Sequence, residues 1–113
     1  MLNDKVSVPA QDVQAFKSYK PLFQLGHIVA TRAVLTHLEK HAIFPAALLS
    51  RHEHGDWGTV DPDDALANRQ ALQSGARLMS VYVVEYVVIW VVTESAGDDG
   101  NRASTCLLLP GEY

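Results

Sequence analysis

The sequence predicts an α+β fold in which a short N-terminal strand and helices pack on a C-terminal antiparallel β-meander. Two observations carry that prediction. Between Arg32 and Ser74, apolar residues recur at helical spacing behind recognisable start and stop signals. From Arg77 to Leu109 the chain is instead rich in β-branched and aromatic residues, interrupted by one Gly/Asp/Asn loop. At 113 residues it suits one domain, with residues 1–24 as a partly mobile arm and residues 25–113 as the folded unit.

In the arm, Pro9 and Pro21 bracket a mixed segment whose Val13 and Phe16 form one face of a short helix. Gly26–Thr31 reads as a short strand, and Arg32–His41 as a helix with Thr31 as N-cap and a stripe of Ala33, Val34, Leu35 and Leu38. A second helix starts near Pro45, runs to about His52 and stops at Gly55. The third has the clearest start: Asp61 caps, Pro62 takes the first helical position, and Asp63 and Asp64 place negative charge at the positive end of the dipole. It ends before Gly75. Arg77–Val84 and Val87–Glu94 are too long together for one ordinary strand, so a turn is expected near Glu85-Tyr86, although no Gly or Asn marks it. Ser95–Arg102 is a loop, and Ser104–Leu109 is a final strand stopped by Pro110.

Composition narrows the function. A net charge of −4 with nine scattered basic residues argues against binding duplex nucleic acid, which needs clustered Lys and Arg. One cysteine, Cys106, excludes an internal disulfide framework, and its strand context makes it a buried hydrophobe. The start of the chain lacks the pattern of a secretory signal, so the cytoplasm is the expected compartment. No membrane span is expected, because Leu78–Val92 contains Glu85 and falls short of the ~20 apolar residues a helical span needs. The nucleophile elbow, the phosphate-binding loop and the dinucleotide fingerprint are all missing, and no cofactor is expected.

The chain resembles a group of short bacterial proteins carried on plasmids and other mobile elements, the plasmid-related proteins. The matching positions are Leu25-Gly26-x-Ile28-Val29-Ala30-Thr31, His52-x-x-Gly55-Asp56-Trp57-Gly58, Asp64 with Asn68, Gly75-x-Arg77-x-x-Ser80-x-Tyr82, Ile89-Trp90-x-x-Thr93-Glu94, Thr105, and Leu108-x-Pro110-x-Glu112-Tyr113. They span about residues 25–113. The resemblance implies a mobile-element context and a shared local geometry, and brings no activity with it.

Chemistry-bearing side chains concentrate between Arg51 and Asn68. His52 and His54 flank Glu53 near Asp56, and His37 and His41 share one helix face, yet no motif supplies a complete metal ligand set, so no metal is assigned. The Gly55-Asp56-Trp57-Gly58 turn is read first as architecture, with Trp57 plugging the core edge and Asp56 satisfying the turn's donors. Thr93-Glu94 and Ser104-Thr105 are expected opposite each other across the loop. The binding candidates are therefore His52, His54, Asp56, Trp57, Asp64, Asn68, Thr93 and Glu94, on a non-enzymatic protein that engages a protein partner and pairs as a homodimer through exposed strand edges. The alternative is a small metal-independent RNase or toxin of the barnase or RelE general architecture. There His52 or His54, Arg77, Thr93 and Thr105 would hold a phosphodiester and move protons.

Overall fold

A computed structural model describes residues 4–8 and 20–113; the expected helix around Val13 and Phe16 lies outside them. The strands are β1 (Lys5–Ser7), β2 (His27–Thr31), β3 (Leu78–Val84), β4 (Val87–Thr93) and β5 (Ser104–Leu108), and the helices α1 (Arg32–Lys40), α2 (Pro45–Glu53) and α3 (Pro62–Ser74). A 3-10 turn, Pro110–Glu112, closes the described chain. The α+β class is as predicted.

The five strands form one sheet in the order β1-β2-β5-β4-β3. β3, β4 and β5 are the antiparallel meander, with Thr93 opposite Thr105. β2 then joins β5 in parallel, Val29 beside Cys106, which makes the sheet mixed. The strand pattern gave no sign of that partner. Lys5–Ser7, assigned to the arm, pairs antiparallel with β2 as an edge strand.

Local chemistry explains the boundaries. The Thr31 hydroxyl accepts from Val34 N–H at the start of α1 and donates to a Glu112 carboxylate oxygen at 2.8 Å, which ties the end of the described chain to the first helix. Asp61 accepts from Asp64 N–H at 2.8 Å and caps α3, and Gly75 ends that helix in the left-handed conformation at φ 84°. The Glu85-Tyr86 turn takes φ 47° and 68°, the twist a two-residue hairpin demands, without the Gly or Asn that usually adopts it. Removing the cap by Asp61→Ala is expected to cost about 1 kcal/mol in urea denaturation. Unchanged stability would mean that the Asp61 bond adds nothing to α3.

The three helices cover one face of the sheet. Val34 and Leu38 of α1 and Leu48 and Leu49 of α2 pack with Ala30, Tyr82, Ile89, Val91 and Leu107 from alternate strand positions. Under α3, Trp57, Ala71 and Leu78 form a second cluster. The opposite face carries Val92, Cys106 and Leu108, flanked by Val29, Met79 and Trp90.

Candidate functional site

His52, at the end of α2, is fully buried between the helix layer and the sheet. Its Nδ1 lies 2.6 Å from the Ser80 hydroxyl and its Nε2 2.8 Å from that of Thr93. Thr93 Oγ1 is in turn 2.7 Å from Thr105 Oγ1, and Thr105 donates to the Leu25 carbonyl at 2.7 Å. That last bond fixes every proton behind it. Thr105 spends its hydroxyl hydrogen on a carbonyl, so it accepts from Thr93; Thr93 must then accept from His52 Nε2–H. A neutral ring carrying its proton on Nε2 has a free lone pair on Nδ1, which accepts from Ser80. Burial, helped by the Arg102 charge, pushes the His52 pKa down from 6.5 to about 3, so the ring is neutral at pH 7.

The aromatic wall of this chain is built from Phe23 and Trp57. Phe23 meets the imidazole edge-on at 5.1 Å and stacks on Trp57 at 6.3 Å, while Trp57 contacts His52 at 5.9 Å. Trp57 is buried, as its flanking glycines suggested. A β-carbon on Gly58 would lie 1.9 Å from the Val81 carbonyl oxygen, so only glycine permits this approach. The reason for the approach is edge protection. Val81 N–H donates to Trp57 C=O and Thr59 N–H to Val81 C=O, at 3.0 and 2.8 Å. Asn68 does the same for Met79, its amide donating to the carbonyl at 2.8 Å and accepting from the N–H at 3.1 Å. The Trp57–Thr59 backbone and the Asn68 side chain thus occupy the free edge of β3.

Asp56 lies outside this interior. Its carboxylate holds Arg51 at 2.7 Å and Gly58 N–H at 3.1 Å, and the Arg51 bond keeps it below the usual carboxylate range. Arg51 stacks over Tyr82 at 4.3 Å, and the Tyr82 hydroxyl donates to the Asp56 carbonyl at 2.6 Å. His54 donates from Nδ1 to the Ser50 carbonyl at 2.6 Å, at the C-terminal end of α2. Asp64 and Glu94 are exposed. Arg77 is exposed too, and its guanidinium lies over the Tyr113 ring at 5.0 Å.

The structure therefore gathers His52, Thr93 and Thr105 but not His54 or Arg77. The three gathered side chains are each 0% exposed. Neither of two clefts, about 590 Å³ beside α1 and about 570 Å³ beside the Gly97–Arg102 loop, is lined by any predicted site residue. Among the described residues, no group of three His, Cys, Asp or Glu side chains is placed to hold a metal ion. His37 and His41 do meet, at 4.6 Å between rings, but His37 Nε2 is 2.6 Å from the Val84 carbonyl and His52 is engaged by hydroxyls.

Two participants were not among the predicted site residues. Ser80 is one of the inward positions of β3, and its alternation placed it there without naming its partner. Arg102 is buried and donates to the carbonyls of Ala71, Ala76 and Glu94 at 2.7 to 3.0 Å, joining the end of α3, the entry to β3 and the exit of β4. Its position after a polar loop gave no signal of burial. No family model, curated protein or solved structure matches this chain.

Proposed function

We propose that the protein is a non-enzymatic accessory protein of a bacterial mobile genetic element, working in the cytoplasm through contacts with a protein partner. One observation carries the reading. The histidine and hydroxyls that would form a base and its relay are fully buried and bonded to one another, whereas a general base must come within reach of a substrate's proton. Their hydrogen-bonding capacity serves to join α2 to β3, β4 and β5. The exposed side chains of the Arg51–Asn68 segment include Arg51, Asp56, Asp61, Asp63 and Asp64, charged groups suited to the rim of an interface. The mobile-element setting rests on the resemblance alone. Among the described residues, no helix is long and apolar enough to cross a membrane, in keeping with a cytoplasmic role.

The test is chemical and cellular together. Purified protein incubated with RNA is expected to leave it intact, and overproduction is expected to leave host growth unchanged. Cleavage, or toxicity that His54→Ala relieves at unchanged solubility, would replace this reading by the nuclease one. His54 is the informative position because it is only partly buried.

A further inference from the structure

We infer that the cleft of about 570 Å³ between the end of α3 and the Gly97–Arg102 loop binds a free aliphatic amino acid, with the ligand's carboxylate on Arg102 and its ammonium group facing Asp98. This site stands independently of the protein-partner reading and goes beyond it. The observation behind it is an enclosed charge. Arg102 is 8% exposed, yet no salt bridge joins it to a carboxylate among the described residues. Burial lowers its pKa, and no acidic neighbour raises it again. A cation so enclosed is ordinarily paired with an anion.

Bracing the fold does not exhaust what Arg102 offers. A guanidinium has five N–H donors. Nη1 serves the Ala76 and Glu94 carbonyls and Nη2 that of Ala71, which leaves Nε–H and one Nη2–H without an acceptor among the described residues. Neutral donors would hold three carbonyls equally well. What the arginine adds is a positive charge and two unspent N–H groups, on a residue that lines the cleft. The three carbonyl bonds also fix the guanidinium, and the Phe23 ring lies 5.8 Å from its central carbon, so seating an anion there requires no further ordering of the side chain.

The rest of the cleft selects the ligand. Ala96 N–H donates to the Gly75 carbonyl at 2.7 Å and ties the two walls together, while Gly97 N–H donates to the Asn101 carbonyl at 2.9 Å and closes the loop. Asp99 is spent on Asn101, accepting from its backbone and side-chain nitrogens at 2.9 and 3.2 Å. Asp98 also lines the cleft, and its carboxylate has no hydrogen-bond partner among the described residues. A cation and an anion around one small cleft suit a zwitterion. Phe23 and Leu72, both partly buried, give its side chain an apolar wall. The volume falls within the roughly 300–1,000 Å³ of small-molecule sites. A phosphate or nucleotide suits the cleft less, because a multiply charged anion would meet the two aspartates of this loop in a chain of net charge −4.

Calorimetric titration with L-valine, L-leucine, L-isoleucine and L-methionine is expected to find at least one that binds with a Kd below about 1 mM. The carboxamide of that amino acid, which lacks the carboxylate, and its N-acetyl derivative, which lacks the ammonium group, should each bind at least about tenfold more weakly. Asp98→Asn should weaken the amino acid by a similar factor and leave the N-acetyl derivative unaffected. Asp98 is exposed, and circular dichroism checks that the variant is folded. Arg102 braces three carbonyls and is better left in place, so its role is read in the wild type, where the Nε–H resonance of Arg102 should shift as the amino acid is added. The site is overturned if none of the four binds, if the carboxamide binds as well as the amino acid, if Asp98→Asn changes nothing, or if binding leaves the Arg102 resonance unmoved. Inorganic phosphate binding more tightly than all four would overturn it too.

Discussion

Trp57→Ala is expected to remove about 3–5 kcal/mol of stability, a large share of what a domain this size possesses. The indole is buried against Phe23, Ala71, Leu78 and the His52 ring, and partly buried Val60, Ala65 and Leu72 complete its surroundings. Helix α3 and the Gly55–Gly58 turn both rest on it, so the rigid backbone around the ring prevents full collapse into the space left behind. A second effect adds to the first. The Trp57 carbonyl receives Val81 N–H, so loosening the turn frees the edge of β3 as well. The expected result in urea is a lower midpoint at nearly unchanged slope. With Trp90 replaced by Phe to isolate the signal, Trp57 should emit as a shielded indole. A loss below about 1 kcal/mol, together with red-shifted and readily quenched emission, would make Trp57 an exposed binding anchor instead.

What could be read from the sequence and what could not divide along contact range. The Asp61-Pro62 start and the Gly75 stop of α3 are chemistry within one helical turn, and so are visible in a few residues. The Glu85-Tyr86 turn was found without its usual residues because the Val-rich run was too long to be one strand. Thr93 against Thr105 followed from a meander joined by one loop. By contrast, the parallel pairing of β2 with β5 spans the whole helical layer, and alternation along a strand records which face is buried but not which neighbour lies alongside. β1 has three residues, too few to show any period. The candidate site divides in the same way. The Arg51–Asn68 segment stood out by composition, but whether His52 faced solvent or hydroxyls depended on Ser80 and Thr93, which lie 28 and 41 positions away. Burial turned a histidine that looked reactive into one that joins elements.

That burial makes the stability of the fold pH-dependent, with a sign that can be worked out. In the folded protein His52 stays neutral down to about pH 3, whereas in the unfolded chain it takes a proton near its ordinary 6.5. Above 6.5 both states hold the ring neutral and the group adds no pH dependence. Between those values the unfolded chain binds one proton more than the native state, so stability falls as pH falls, by about 1.4 kcal/mol per unit. From pH 6.5 to 5 the loss from this group is therefore roughly 2 kcal/mol. The Asp56 carboxylate, held down by Arg51, acts in the same direction but only as pH falls below its unfolded value of 3.8. Urea denaturation at pH 6.5 and 5 should show that loss in the wild type. In His52→Gln it should be smaller by the same roughly 2 kcal/mol, because glutamine can bond to Ser80 and Thr93 without titrating. The variant is expected to be less stable at neutral pH, since its amide fits the ring's place imperfectly and buried hydroxyls lose partners at a cost of about 1–3 kcal/mol. The difference in slope is the decisive quantity, because a merely misfitting side chain would lower both measurements equally. If the imidazole resonances of folded wild-type His52 titrate near 6.5, or if wild type and variant lose stability in parallel, then water or a carboxylate reaches the ring, and the chain from Ser80 to the Leu25 carbonyl is not the closed structural element described above.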